Sequence, residues 1–543
     1  RWPSLYAGTN PDTGTNPRIR SNPLHHFQGR NPKLSVTTLA AALAVSGICV
    51  TALLQQPTAW AESSSSSNDH APARGGDKTP APGAATAGDS LFGYLGNGGY
   101  DVGTYDVQYD YRAGQTTMES SVEIMATATQ NLSDLSLDSV GQQITSVSVQ
   151  GKPARFRTAD EKLLIAPAHW LRKGQAFRID IAFVADRSAN PPSPAVLPGQ
   201  EDIHADHWNN FPDGFALFGQ PDRSHLFFPM NDHPSDKARV TFRITTPKAL
   251  QAVAGGTLKS RTTRGDRTTY VYSTRDPIPT DTVQAAVGHF MTAEGTGPHG
   301  LPIRSFVDTK DFANAQAQLG RIASQLDWVE KKIGAPFPFE TYGVLGVESY
   351  PAAMESATLS TFTSSVGLTE GDDNDSTMVH ELVHQYFGDA VSVKTWNDMW
   401  LSEGHASYYT FRYSADRGYT GSGSFEDNVR RAYTYDQDAR PLDGPPGDLN
   451  DPLNVLGGTN AAGVVLLDGL DHMVGDATFQ KIEGTFFKKF RNKAATTQDY
   501  IDVANQVSGR DVTDYVNNWI YGRTTPPAVG HPDWSGTPGS AVS

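Results

Sequence analysis

The chain has 543 residues, too many for one ordinary domain, and its 38% hydrophobic and 10% aromatic content is ample for buried cores. A formal net charge of −15 leaves no basic stripe, so neither nucleic acid nor anionic lipid is an expected partner.

Arg18, Arg20, Arg30 and Lys33 precede an apolar stretch from Leu34 to Leu54, and Ala59-Trp60-Ala61 fits a small-x-small cleavage site. This order predicts a leader with a signal peptide over residues 1–61, cleaved near Ala61, and hence a secreted protein with no membrane attachment afterwards. A membrane anchor is the alternative, since the stretch is nearly long enough to span. Cys49, the sole cysteine, lies in that run, so the mature chain would carry no disulfide. Residues 62–90, with Ser63 to Ser67 and much Ala, Pro and Gly, read as a disordered linker.

Over residues 91–297 short alternating runs such as Val240-Thr241-Phe242-Arg243-Ile244 and Tyr270-Val271-Tyr272, with Gly265-Asp266 between strands, predict an antiparallel β domain. After a join at Gly295 to Gly300 the period changes. Leu319, Ile322, Leu326, Val329 and Ile333 recur at three and four, and Gly334 and Pro336 stop that helix. A strand is expected around Tyr342 to Val347. Helices are expected over 376–387, 402–414, 463–474, 477–490 and 497–507. Residues 298–527 are therefore a mostly α domain and 528–543 a flexible tail, giving an α+β class.

The chemistry concentrates in His380-Glu381-Leu382-Val383-His384, followed by Glu403. Residues four apart lie one turn apart on a helix face, so the two imidazoles can converge on one metal ion. Glu381, about 100° further round, can reach water at that metal without being a ligand. The 18 residues between His384 and Glu403 leave room for a loop and an antiparallel second helix. Three ligands and one open position describe a catalytic zinc site. Ser376 or Thr377 is the expected N-cap, Gly388 the expected stop, and Met378, Val379, Leu382, Val383 and Phe387 the buried side.

The pattern from about Tyr94 to Pro527 resembles the aminopeptidase N family of zinc peptidases, gluzincins that include the leukotriene hydrolase. Three segments carry the resemblance: the zinc segment with Gly388-Asp389, Trp396, Trp400 and Glu403-Gly404-His405-Ala406; Ala352-Ala353-Met354-Glu355-Ser356; and Gln220 with Phe228 to Lys237. Tyr515 to Tyr521 resembles the family's last catalytic-domain helix. The resemblance implies a saddle-shaped β-sandwich domain followed by a thermolysin-like catalytic domain. It also implies one Zn2+ on His380, His384 and Glu403, with Glu381 as general base. Gln220 and Glu355, with Ala353 and Met354 beside them, would hold the free amino group of a peptide substrate. A carboxylate and an amide oxygen, desolvated together, bind an ammonium and reject a blocked terminus. The expected protein is a monomeric, secreted aminopeptidase acting on peptide or protein N-termini. Trp396 and Trp400 read as packing under the site, and His405 as structural.

One position departs from the family. Where its members place an oxyanion-stabilising tyrosine, this chain has Asn460, with Tyr433 or Tyr435 as the candidate substitutes. Losing one such donor typically costs about 10²–10³ in rate. A related hydrolase of endopeptidase or epoxide type, and a weakly active or silent peptide binder, therefore remain as alternatives.

Overall fold

The computed structural model describes residues 79–195, 207–348, 353–419, 421 and 423–534. The expected leader with Cys49 and Ala59-Trp60-Ala61, the linker up to residue 78, Ala352 and the tail from 535 lie outside the described residues.

Alternating runs become strands wherever one face can be buried. The largest sheet has eight strands in the order Thr257–Arg264, Arg267–Ser273, Arg239–Pro247, Tyr100–Asp110, Thr117–Ala128, Ala176–Asp186, Gln142–Val149 and Lys152–Pro153. Phe242 lies opposite Tyr272, and Gly265-Asp266 joins two neighbouring strands. One pair departs from the antiparallel expectation: Tyr100–Asp110 runs parallel to Arg239–Pro247. These segments are far apart in sequence, so no hairpin fixes their direction.

A smaller sheet, ordered Gln251–Ala254, Ala285–Gly288, Gly214–Leu217 and Trp208–Phe211, delivers β-domain residues to the site. Gly214–Leu217 leads to Gln220, and Ala285–Gly288 comes after a 3₁₀ turn, Thr280–Thr282, that carries Asp281. The two strands pair antiparallel through Phe215 and Val287, which brings Gln220 and Asp281 to the same end.

A third sheet runs Phe290–Thr296, Pro302–Asp308, Val344–Val347, Ser360–Thr363. The expected join at Gly295 to Gly300 is the turn of its first hairpin, so Phe290–Thr296 belongs with the strands on its C-terminal side and not with the β domain.

Nine α-helices lie among the described residues: α1 (Phe312–Leu319), α2 (Ile322–Ile333), α3 (Asp372–His384), α4 (Trp400–Arg417), α5 (Phe425–Asp443), α6 (Gly458–Val474), α7 (Asp476–Phe490), α8 (Thr497–Ser508) and α9 (Thr513–Tyr521). Leu319 ends α1 instead of opening α2, whose buried stripe is Ile322, Leu326, Val329 and Ile333. Gly334 closes α2 at φ 72°, a left-handed position that suits glycine. The 19-residue α5 was not expected, because it is polar and buries only a narrow stripe including Val429, Ala432 and Tyr433.

Both ends of the described chain are better anchored than composition suggests. Asp89 is buried and accepts from the backbone N–H of Leu91, Phe92 and Trp396, so residues 79–90 are part of the fold and not spacer. At the other end Pro532–Trp534 forms a 3₁₀ turn with Trp534 buried against Tyr433, so the expected flexible tail does not include residues 528–534. The described residues form one compact unit. No helix among them is long and apolar enough to cross a membrane.

Candidate metal centre and active site

The helix α3 begins four residues before the expected cap. Asp372, Asp373 and Asp375 occupy its first turn, where the exposed N–H groups and the dipole favour negative charge. Ser376 and Thr377 sit inside it, their hydroxyls donating to the Asp372 and Asp373 carbonyls at 2.8 and 2.9 Å. Met378, Val379, Leu382 and Val383 are buried, which turns His380, Glu381 and His384 toward the interior. The helix ends at His384, before Phe387 and Gly388.

The two imidazoles and Glu403 converge. His380 Nε2 and His384 Nε2 are 3.1 Å apart, and Glu403 Oε2 lies 3.6 and 3.7 Å from them. Ligands on a tetrahedral zinc at ~2.0–2.1 Å are separated by about 3.3 Å, so this donor triangle fits the ion. The other ring nitrogens are occupied. Ser402 Oγ donates to the Phe387 carbonyl (3.1 Å) and so accepts from His384 Nδ1 (2.9 Å). Thr410 Oγ1 donates to the Ala406 carbonyl and lies 3.4 Å from His380 Nδ1. Fixing Nδ1–H in this way leaves each Nε2 lone pair for a metal. Burial holds the His384 imidazole down to about 4, which keeps it in the neutral, ligating form.

Helix packing places the third ligand. A Cβ on Gly463 would lie 2.6 Å from Gly404 Cα, so α6 meets α4 at a glycine pair next to Glu403. Gly388 answers a similar need. At φ 133°, its absent Cβ would stand 2.6 Å from Ser402 Oγ, the hydroxyl that orients His384.

Glu381 is buried, and desolvation, followed by the charges of Glu355 and Glu403, pushes its carboxyl well above the usual range. Carboxylate or imidazole atoms of Glu355, Glu381 and His384 lie within 4.8 Å of one another. Gln220 Nε2 donates to Glu355 Oε1 at 2.6 Å and approaches Asp281 Oδ2 at 3.4 Å. Gln385, one residue past α3, fixes the Glu355 loop: its Nε2 donates to the Glu355 carbonyl (2.8 Å), and its Oε1 accepts from Thr358 N–H (2.7 Å). Met354 pairs through its backbone with Thr361 and buries its side chain, while Ala353 beside it is half-buried. Five buried carboxylates, Glu355, Glu381, Glu403, Asp281 and Asp389, thus gather around one cleft. Burial raises the proton affinity of Glu355, Glu381, Asp281 and Asp389, the Lys237 ammonium already stands beside Asp389, and a dication and a second ammonium would complement the negative charge that remains.

Placement of the remaining candidates is mixed. Gly404 meets Gly463 and Arg412 meets Asp471, so α4 and α6 run in the same direction. Asn460, half-buried one turn before Gly463, is therefore level with the turn of α4 that carries Glu403. Tyr433 is packed on Trp519 and Trp534, with ring centroids 6.4 and 5.8 Å away, and half-buried Tyr435 lies near Asp443. His405 is fully buried, stacked on Phe387 with its Nε2 3.1 Å from Glu483. Trp396 packs on Phe92, and Trp400 donates to Thr497 Oγ1. Sequence reasoning missed Ser402, Thr410, Gln385 and Asp281. Only Thr410 left a trace, two turns after Glu403 on the same helix face.

Two helices supplying a His-x-x-x-His pair and a distant glutamate, with a buried carboxylate beside them, define a metal-dependent hydrolase centre of the zinc type. Residues 317–519 match the peptidase family M1 domain. The chain is 25% identical over 310 residues to Aminopeptidase M1-C of Oryza sativa subsp. japonica, covering 54% of this chain and 35% of the rice protein. It is 31% identical over 209 residues to Aminopeptidase N of Streptomyces lividans, covering 36% and 24% of the two chains. It thus spans about a third or less of these curated relatives. The M1 zinc metallopeptidase of Deinococcus radiodurans superposes with a TM-score of 0.71 at 26% identity, covering 83% of this chain and 100% of that one. The same fit, over 82% and 99%, is found to a form bound to a Tyr-Ser-Ala substrate. Residues 317–519 thus carry the match to the M1 peptidase domain, and the chain is similar in sequence and fold to the aminopeptidase N group of gluzincins.

Proposed function

We propose that this chain is an exported zinc aminopeptidase that shortens peptides one residue at a time from the N-terminus. The observation that carries this reading is the Gln220–Glu355 pair set beside Glu381 and His384. With Nε2 turned to Glu355, Gln220 leaves its carbonyl oxygen to accept from an ammonium, and the Glu355 carboxylate supplies the opposite charge. A substrate amine placed there lies about one residue from the metal triangle. Zinc on His380, His384 and Glu403 supplies Lewis acidity toward the scissile carbonyl and toward water. Glu381, buried beside His384 and not one of the three ligands, takes the proton from the attacking water on its carboxylate and returns it to the leaving amine. Export is supported by the basic, apolar and Ala-x-Ala order of residues 18–61.

A panel of amino-acid anilides, run with and without chelator, tests the reading alongside a free and an acetylated peptide. Stepwise loss of residues from the free peptide, abolished by chelation, is expected. Rapid internal cleavage of the acetylated peptide would establish an endopeptidase instead.

A further inference from the structure

A second group of metal-type donors stands apart from the catalytic triangle, where the end of the described chain returns to α6. Asp468 and His472 are one turn apart on α6, and His531 comes from the C-terminal segment. One donor atom from each lies within 4.8 Å of the other two. His531 Nε2 is 2.9 Å from Asp468 Oδ2.

The surroundings orient Asp468 and His531 as a metal site requires. His531 is stacked on Trp534 with centroids 3.7 Å apart, and its Nδ1 faces Glu426 at 3.8 Å, so Nε2 is the atom presented to Asp468. His472 Nδ1 donates to the Asp468 carbonyl at 2.9 Å and also stands 3.5 Å from Asp468 Oδ2, so the lone pair is on Nε2 and the ring must turn to bring it to the other two donors. Asp468 itself is 1% exposed, and its Oδ1 has no hydrogen-bond partner. A buried carboxylate oxygen without a partner carries a desolvation cost that a cation would relieve. Asp468, His472 and His531 line a cavity of about 450 Å³ together with Asp471, Asp476, Glu426 and Arg412. Four carboxylates there face one guanidinium, which already pairs with Asp471.

We propose that Asp468, His472 and His531 form a second divalent-metal site that fastens the C-terminal segment to α6. Two imidazoles and a carboxylate suit zinc better than calcium or magnesium, which prefer all-oxygen shells. His531 Nε2 and Asp468 Oδ2, 2.9 Å apart, already lie within the about 3.3 Å edge of a zinc tetrahedron, whereas His472 presents its Nδ1 to Asp468 Oδ2 at 3.5 Å. His472, with a side chain 44% exposed, is the ligand free to rotate inward.

Metal content decides the matter. Chelator-stripped protein is reloaded with zinc, freed of excess by gel filtration, and its zinc counted by mass spectrometry. Two zinc ions per chain are expected for the wild type, one for His472→Ala with anilide turnover kept, and one for His380→Ala with turnover lost. In the His380→Ala background added zinc should still raise Tm, and adding His472→Ala should remove that rise. A single zinc in the wild type, unchanged by His472→Ala, would overturn the proposal while leaving the catalytic reading intact. His472 is half-exposed, so its substitution tests the site even if His531→Ala fails to fold.

Discussion

Ser402 offers one hydroxyl, yet it decides which nitrogen of His384 can bind metal. Ser402→Ala should weaken zinc affinity by about 10–100-fold, measured by competition with a chromogenic chelator, with the fold retained. Glu403→Ala removes a ligand and should empty the site. Glu381→Gln should keep zinc and lose turnover, and a fully active Glu381→Gln protein would refute the assigned base. Asn460→Tyr should raise kcat by up to about 10²-fold without changing zinc content, if a missing oxyanion donor limits this chain. Family-like turnover that survives Asn460→Ala would show that this position is not limiting. Asp281 gives the site a pH signature. Burial, then the charge of Glu355, raises its carboxyl to about 7, so the folded chain retains a proton that the unfolded chain sheds near pH 4. The metal-free protein should therefore lose stability as pH rises from about 4 through 7, and Asp281→Asn should flatten part of that slope in Tm.

Among the elements, α4 and α6 touch backbone to backbone at Gly404 and Gly463, one residue along α4 from Glu403. Gly463→Ala places a methyl where α4 already is. It should lower stability by about 1–3 kcal/mol and reduce zinc retention, both visible in melting with and without metal. Such contacts explain what the sequence could and could not reveal. The spacing of His380, His384 and Glu403 is local and chemical, so the metal triangle was legible. So were α2, α6, α7 and α8, whose apolar stripes repeat on one face. The helix α5 was not, because its stripe is thin; the Ser424–Asp427 capping box was the overlooked signal. The start of α3 was misplaced because acidic residues that look like a loop are favoured in a first turn. Gln385 and Asp281 act across sequence separations that no periodicity records.

At the scale of the whole molecule, the first described residues are tied to the catalytic region by Asp89. Its carboxylate sits below its ordinary value: burial opposes this, but bonds from His233, Phe92 and Trp396 outweigh it. Asp89→Ala should cost about 1–3 kcal/mol and open residues 79–92 to limited proteolysis, with a change in Trp396 fluorescence. The wild-type contribution of this carboxylate fades as pH falls below about 4. The pocket proposed for the substrate amine is likewise shared, with Gln220 and Asp281 from the β region and Glu355 from the catalytic one. Gln284 laces the two together, its amide donating to Leu217 O (2.9 Å) and Thr361 Oγ1 (2.7 Å). Gln385 then pins the Glu355 loop to the very helix that bears His380, Glu381 and His384. The span from amine anchor to hydrolytic centre is therefore a gauge length cut into a rigid frame. A peptide beginning with a β-amino acid, one methylene too long, should occupy that gauge as an inhibitor and be cleaved far more slowly than its α counterpart.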